Sequence, residues 1–361
     1  MTDTGMSEGI RPPAPPQPGP WEGWPGPMGP FVPAPPPVWA KPPTPSALPV
    51  VPRAYHEFYR AHRFRWWKPL AAVGLVGGAW FLISIVMTFP VMMIDLSSGA
   101  ATMEQYASGN IPATPLMFLA NNLTIIAFIP LAILAHRLIF GQRAGFLASI
   151  QGRFRWRLLG RFLLIALPFF AALFVAGLIT GGTDGLAVDG HTLPMIAIIL
   201  LTTPFQCAGE EYAIRGLLAR SVGSWFPARN FGWAVSAIVS SGVFVALHNA
   251  GDIWLNLFYA CFALTGSVLV WRTGGLEAGI AIHVANNMMS LALVPFMDMS
   301  GLFDRQAGTG SPWDLIQVVF IVAPAAVIVW QAKRLALPTA TAPVERPLLM
   351  AAPAADAVVH G

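Results

Sequence analysis

Residues 193–219 read LPMIAIILLTTPFQCAGEEYAIRGLLA, an apolar run whose only charges are Glu210, Glu211 and Arg215. About 20 apolar residues suffice to cross the roughly 30 Å of bilayer hydrocarbon, so this run predicts a membrane span. Seven more runs flank it, over residues 70–94, 115–136, 162–180, 231–250, 253–271, 275–296 and 312–332. Lipid offers the backbone no hydrogen-bond partner, and no barrel-like alternation is present, so the runs predict helices. The expected fold is all-α: a polytopic integral membrane helical bundle of about eight transmembrane helices.

Composition agrees. Apolar residues make up 55 % of the 361 and charged residues only 11 %, whereas a soluble domain carries about a quarter charged residues. The net charge of +4 is arranged by loop rather than as a patch. The segment before the first span is basic, while 95–114 holds Asp95 and Glu104 with no Lys or Arg. Residues 137–161 carry Arg137, Arg143, Arg153, Arg155, Arg157 and Arg161, and 181–192 hold only Asp184 and Asp189. Arg220 and Arg229, then Asp252, then Arg272, continue the alternation. Residues 297–311 hold Asp298 and Asp304 against Arg305, and Lys333 and Arg334 close the last span. The positive-inside rule then places both termini on the cytoplasmic side, in what reads as a prokaryotic cytoplasmic membrane. No nucleic-acid partner is expected; membrane lipid is.

Outside the bundle, residues 1–52 contain more than half of the 34 prolines and are expected to form a disordered cytoplasmic tail. Pro35-Pro36-Pro37 is a candidate for a proline-reading partner. Residues 53–192 comprise a basic, Trp-rich interfacial anchor and the first three helices. The loop 141–161 is expected to lie flat on the inner leaflet. Residues 193–296 form a polar-containing core, 297–334 the last loop and helix, and 335–361 a second disordered tail. Residues 1–52 lack the basic start and apolar core of a cleavable signal, so the first span is expected to act as the signal.

Ionisable residues in a span are expensive and therefore functional candidates. Glu211 and Arg215 are four apart on one helical face and can pair. Glu210 lies about 100° round the helix and lacks that partner, which suits a general base or acid. His283 and Asn287 share a face, so that Asn287 can orient the imidazole or donate to an oxyanion. Phe244 and His248 repeat the spacing, and the ring can wall off the histidine. Single Asn or His residues in membrane helices usually serve as interhelical glue, which is the reading for Asn121 and Asn122. Clustering in three spans argues for a site. His136 reads as a helix-end residue favourable to the dipole. His56, His62 and His191 receive no role, and Cys207 and Cys261 read as small hydrophobes.

Glu210-Glu211-Tyr212-Ala213-Ile214-Arg215, Phe244-Val245-Ala246-Leu247-His248 and His283-Val284-Ala285-Asn286-Asn287 together resemble the EExxxR, FxxxH and HxxxN motifs of the CPBP family. This is the CAAX-protease and bacteriocin-processing, or Abi, family. The resemblance implies an intramembrane endopeptidase acting on a peptide or lipidated-protein substrate, as eukaryotic members act on prenylated CAAX proteins. It implies that Glu210 and His248 activate water, that His283 and Asn287 stabilise the oxyanion, and that Glu211 and Arg215 support the site. No cofactor is expected. A zinc ion on Glu210, His248 and His283 is the competing arrangement. Two other classes stand beside the peptidase: a non-catalytic immunity or scaffold protein using the same pocket, and a proton-relaying transporter. One tension is geometric. At about 1.5 Å per residue, Glu210 and His283 lie about 12–15 Å from the inner face, but His248 lies nearer 25 Å if its helix starts at Phe231. That helix is then expected to start near Ser236, or to be tilted or broken.

Overall fold

The computed structural model describes residues 46–107, 111, 113–299, 302 and 305–342. Eight helices are long and apolar enough to cross a membrane. They are α1 (Lys68–Ser98), α2 (Pro115–Phe140), α3 (Trp156–Gly181), α4 (Thr192–Gly223), α5 (Arg229–His248), α6 (Ile253–Thr273), α7 (Glu277–Phe296) and α8 (Asp314–Arg334). The chain is an integral membrane, all-α bundle.

Local sequence sets the ends. Pro69 and Pro115 open α1 and α2, where a missing N–H costs nothing. Thr114 caps α2 by accepting from Met117 N–H at 3.1 Å, and Asp252 caps α6 by accepting from Trp254 and Leu255 N–H. Gly99, Gly141 and Gly274 close α1, α2 and α6 in the left-handed conformation. Asn249 does so after α5, with φ at 47°. Within α4 the residues Tyr212–Ala219 are wound as a π-helix, a form that recurs at functional sites.

The bundle is arranged around α7. Half of its most apolar stretch is buried, against 11 % for α1, so α7 is the central helix and α1 a peripheral one. Helices α3, α4 and α6 pack directly on α7. Before α1 and after α8 the chain pairs with itself: Arg53–Ala54 and Ala340–Thr341 form a two-residue antiparallel ladder. Both terminal segments therefore meet at one end of the bundle, here termed the basic end, where α4 finishes and α5 and α7 begin.

Several expectations change. Residues 46–52 and 335–342, expected in the two tails, are among the described residues and pack on the bundle's basic end. Leu48 is buried, and Gln142 Nε2 donates to Ala47 O at 2.8 Å. The remainder of both expected tails, including Pro35-Pro36-Pro37, lies outside the described residues. The interfacial anchor is partly internal. Tyr55, Phe58 and Tyr59 are in the core, while Trp66 and Trp67 stay exposed.

The loop 141–161 does not lie flat. Leu147, Ile150 and Arg155 are buried, and α3 begins at Trp156. Arg155 donates from its backbone N–H and from Nε to Glu277 Oε1, at 2.8 and 2.9 Å, and from Nη1 to Thr273 O. This bidentate pair holds the loop on the start of α7. Arg220, expected in a connection, is fully buried. It donates to Phe146 O at 2.6 Å and lies 3.9 Å over the Tyr55 ring. His136, in the last turns of α2, is fully buried, between Tyr59 Oη at 3.0 Å and Arg143 O at 3.1 Å. Asp95 is buried in the last turn of α1 and accepts from Thr114 Oγ1 at 2.8 Å.

Candidate active site

Glu210, Glu211 and Arg215 stand on α4, Phe244 and His248 on α5, and His283, Asn286 and Asn287 on α7. The expected pair forms. Arg215 Nη1 donates to Glu211 Oε1 at 2.9 Å, with both side chains 1 % exposed. Arg215 Nη2 also donates to Ala263 O at 3.1 Å, and its guanidinium lies 4.8 Å from the Phe244 ring centre. Two glycines make room for the pair. A Cβ on Gly266 would stand 2.9 Å from Arg215 Nη2, and one on Gly279 would stand 2.7 Å from Glu211 Oε2.

His283 joins the two carboxylates. Its Nδ1 lies 3.1 Å from Glu211 Oε1, and its Nε2 lies 3.6 Å from Glu210 Oε2. A carboxylate only accepts, so Nδ1 carries the hydrogen toward Glu211, and Nε2 is the nitrogen available toward Glu210. Glu210 has neither Arg nor Lys beside it among the described residues. Its Oε1 accepts from Gln206 Nε2, and its Oε2 is buried without a hydrogen-bond partner.

Phe244 sits among the site's rings. Its centre is 4.3 Å from that of His248, 6.2 Å from His283 and 5.8 Å from Phe262. Its carbonyl accepts from His248 Nδ1 at 2.8 Å, leaving His248 Nε2 unengaged by that bond. Tyr259 closes the other face of His248, with ring centres 4.2 Å apart.

Asn287 does not orient the His283 imidazole, one of the two roles expected of it, and the oxyanion role is not touched by this. It makes no hydrogen bond to the His283 imidazole; its Nδ2 donates to Gln206 Oε1 at 3.4 Å, and its Oδ1 accepts from Asn286 Nδ2 at 2.9 Å. Gln206 thus bridges Glu210 and Asn287. Sequence reasoning passed over it, although it lies four residues before Glu210 and so on the same helical face. Cys207 is fully buried beside it.

Neither a later start nor a break of α5 resolves the depth tension, because the helix runs unbroken from Arg229 to His248. At about 1.5 Å per residue, Glu210 lies roughly 20 Å from Gly223, His248 roughly 28 Å from Arg229, and His283 roughly 9 Å from Glu277. The start of α5 is tied to the segment that precedes α1, where Arg229 Nε is 2.7 Å from Glu57 Oε1.

The zinc arrangement finds no ready ligand set. Among the described residues no three His, Cys, Asp or Glu side chains form a group able to hold a metal ion. In particular, Glu210, His248 and His283 do not converge as three donors, and His283 Nδ1 is directed to Glu211.

Comparison with known proteins falls on these same helices. Residues 191–289 match the family model described as Type II CAAX prenyl endopeptidase Rce1-like. A 100-residue stretch is 28 % identical to the Uncharacterized protein YyaK of Bacillus subtilis (strain 168). That similarity covers 26 % of this chain and 32 % of the relative, so the match spans about a third of the relative's length. No solved structure matches the chain. Every residue of the three motifs lies within the matched segment, whose similarity is to the Rce1-like CAAX endopeptidases.

Proposed function

We propose that this protein is an intramembrane endopeptidase of the CAAX-protease type, hydrolysing a peptide bond near the C-terminus of a prenylated or other membrane-associated protein or peptide. The observation that carries the reading is Glu210. Its Oε2 is buried, without a hydrogen-bond partner and 3.6 Å from His283 Nε2, and no Arg or Lys among the described residues pairs with it. Glu211, whose Oε2 is likewise unbonded, instead accepts through Oε1 from Arg215 and His283. A scaffold role would require the buried ion pair but not the unpaired carboxylate.

In this reading Glu210 takes a proton from water as the water oxygen adds to the scissile carbonyl carbon. His248, walled by Phe244 and Tyr259, directs the water through its Nε2. Asn287 donates from Nδ2, and His283 from Nε2 in its doubly protonated form, to the oxygen on which negative charge develops. Collapse of the tetrahedral species breaks the C–N bond, and the proton held by Glu210 passes to the departing amine. Gln206 fixes the Glu210 carboxylate, and Glu211 fixes the imidazole of His283. No metal enters this scheme.

Substrate class is tested with the purified protein in liposomes. Farnesylated and unmodified peptides of the same sequence, ending in a CAAX motif, are offered to wild type and to His283→Ala. Release of the terminal tripeptide from the farnesylated peptide by wild type alone supports the reading. Equal inertness of both proteins toward both peptides removes the prenylated class from it.

A further inference from the structure

Beside Arg215 lies a small cavity between α4, α5, α6 and the turn Tyr55–Glu57 that precedes α1. Its volume is about 20 Å³, and Arg215, His56, Trp233, Ser236, Ser267 and Trp271 are among its walls. Arg215 is 1 %, His56 4 % and Ser236 2 % exposed. The serine hydroxyls are satisfied: Ser236 donates to Trp233 O at 2.8 Å and Ser267 to Ala263 O at 3.2 Å. Three nitrogens are not. Arg215 Nε, His56 Nδ1 and Trp233 Nε1 are all buried without a hydrogen-bond partner. Each such group costs about 1–3 kcal/mol when left unpaired, and three at one cavity point to a ligand.

The donor and acceptor pattern names its class. Arg215 Nε and Trp233 Nε1 can only donate. His56 Nε2 is 3.0 Å from Arg229 O, a carbonyl that can only accept, so Nε2 carries the hydrogen. Burial pushes the imidazole below its usual range, ahead of the opposing pull of the Arg229 carbonyl and Glu57, and the neutral ring then offers a lone pair at Nδ1. Two donors and one acceptor suit neither an anion nor a cation. They suit water, which typically takes about three hydrogen bonds and needs roughly 10–15 Å³.

We infer that the cavity holds one ordered water that accepts from Arg215 Nε and Trp233 Nε1 and donates to His56 Nδ1. His56 and Trp233 are then positioning residues. They fix the plane of the guanidinium that holds Glu211, and Glu211 holds His283. The segment before α1 thereby reaches the reacting centre through Arg215 without touching it. The positioning role rests on the peptidase reading; the water site does not.

The test has two arms. An experimental structure of the full chain in lipid, at a resolution that shows waters at other buried sites, should show one density peak. It should lie within hydrogen-bond distance of His56 Nδ1, Arg215 Nε and Trp233 Nε1. An empty cavity overturns the inference, and so does a bromide signal at that point after halide exchange. Trp233→Phe removes the N–H while keeping a ring to stack on Trp271, 4.4 Å away. It should lower kcat about three- to tenfold and leave KM unchanged. A wild-type kcat in a folded Trp233→Phe protein overturns the positioning role. Should Glu210→Gln cleave as wild type does, the glutamate mechanism on which the positioning role rests fails while the density peak still decides the water site.

Discussion

Replacing Arg215 by methionine keeps an unbranched chain of similar length but removes the cation from a site that is 1 % exposed. Three interactions go with it: the 2.9 Å bond to Glu211, the 3.1 Å bond to Ala263 O, and the contact over the Phe244 ring at 4.8 Å. Glu211 is then a buried carboxylate whose remaining named partner is His283, and breaking a buried pair from one side costs about 3–5 kcal/mol. The double variant Glu211→Gln/Arg215→Met has no buried charge to leave stranded. It should regain about 2–3 kcal/mol relative to Arg215→Met, the upper part of the usual range for directly contacting residues. Thermal unfolding of the purified proteins in one detergent measures this directly. The order of midpoints should be wild type, then the double variant, then Arg215→Met well below both. Peptidase activity should stay absent in the double variant, because an amide cannot hold His283 as the carboxylate does. A single variant as stable as wild type would refute the argument, since the pair would then carry no desolvation cost. So would a double variant no better than the single.

Gly279→Ala places a methyl 2.7 Å from Glu211 Oε2; overpacking of about 1–3 kcal/mol is expected, with a larger fractional loss of kcat than of folded protein. Gln206→Leu keeps the helix but releases Glu210 and Asn287 together. It should cut kcat by about tenfold or more while the unfolding midpoint moves little. A chelator that strips zinc from a control metallopeptidase should leave the rate unchanged, and a loss restored by zinc would reinstate a metal on Glu210, His248 and His283.

The His56 imidazole is held below its usual pKa by burial. Above about pH 6.5 it is neutral folded and unfolded and contributes nothing to the pH dependence. As pH falls below that value the unfolded chain takes up a proton first, so stability declines. Glu57 titrates in a lower window. Burial raises its pKa, but the Ala54 N–H and Arg229 together outweigh this and hold it below the usual range. Between pH 7 and pH 5 the unfolding midpoint of His56→Gln should therefore fall less than that of wild type.

The eight spans were legible because crossing a bilayer imposes long apolar runs, and the Glu211–Arg215 pair was legible because i,i+4 spacing is local. The same locality made Gln206 readable in principle, four residues before Glu210, had a neutral side chain been weighed beside the charged ones. Arg155 and Glu277 are 122 positions apart, and nothing in either neighbourhood announces the other. Arg220 misled for a related reason. An arginine at the end of an apolar run reads as a loop charge, yet the aromatic rings of Tyr55, Phe58 and Tyr59 enclose it from a distant segment. The Gln206 partner of Asn287 was not legible because spacing assigns a face but not a partner: it bonds Gln206 across the helix interface, not His283 on its own helix. The Glu57–Arg229 pair, which ties the start of α5 to the segment before α1, is a tertiary contact with no periodic signature.

The most direct test of the central claim compares the peptides released from, or retained in, membranes carrying equal amounts of wild type and Glu210→Gln. The amide preserves size and the bond to Gln206 but cannot take a proton from water. The account predicts cleavage products present with wild type and missing with the variant, their termini naming the substrate. Identical peptide profiles across growth conditions, with both proteins inserted and folded, would contradict it and leave the pocket as a binding site.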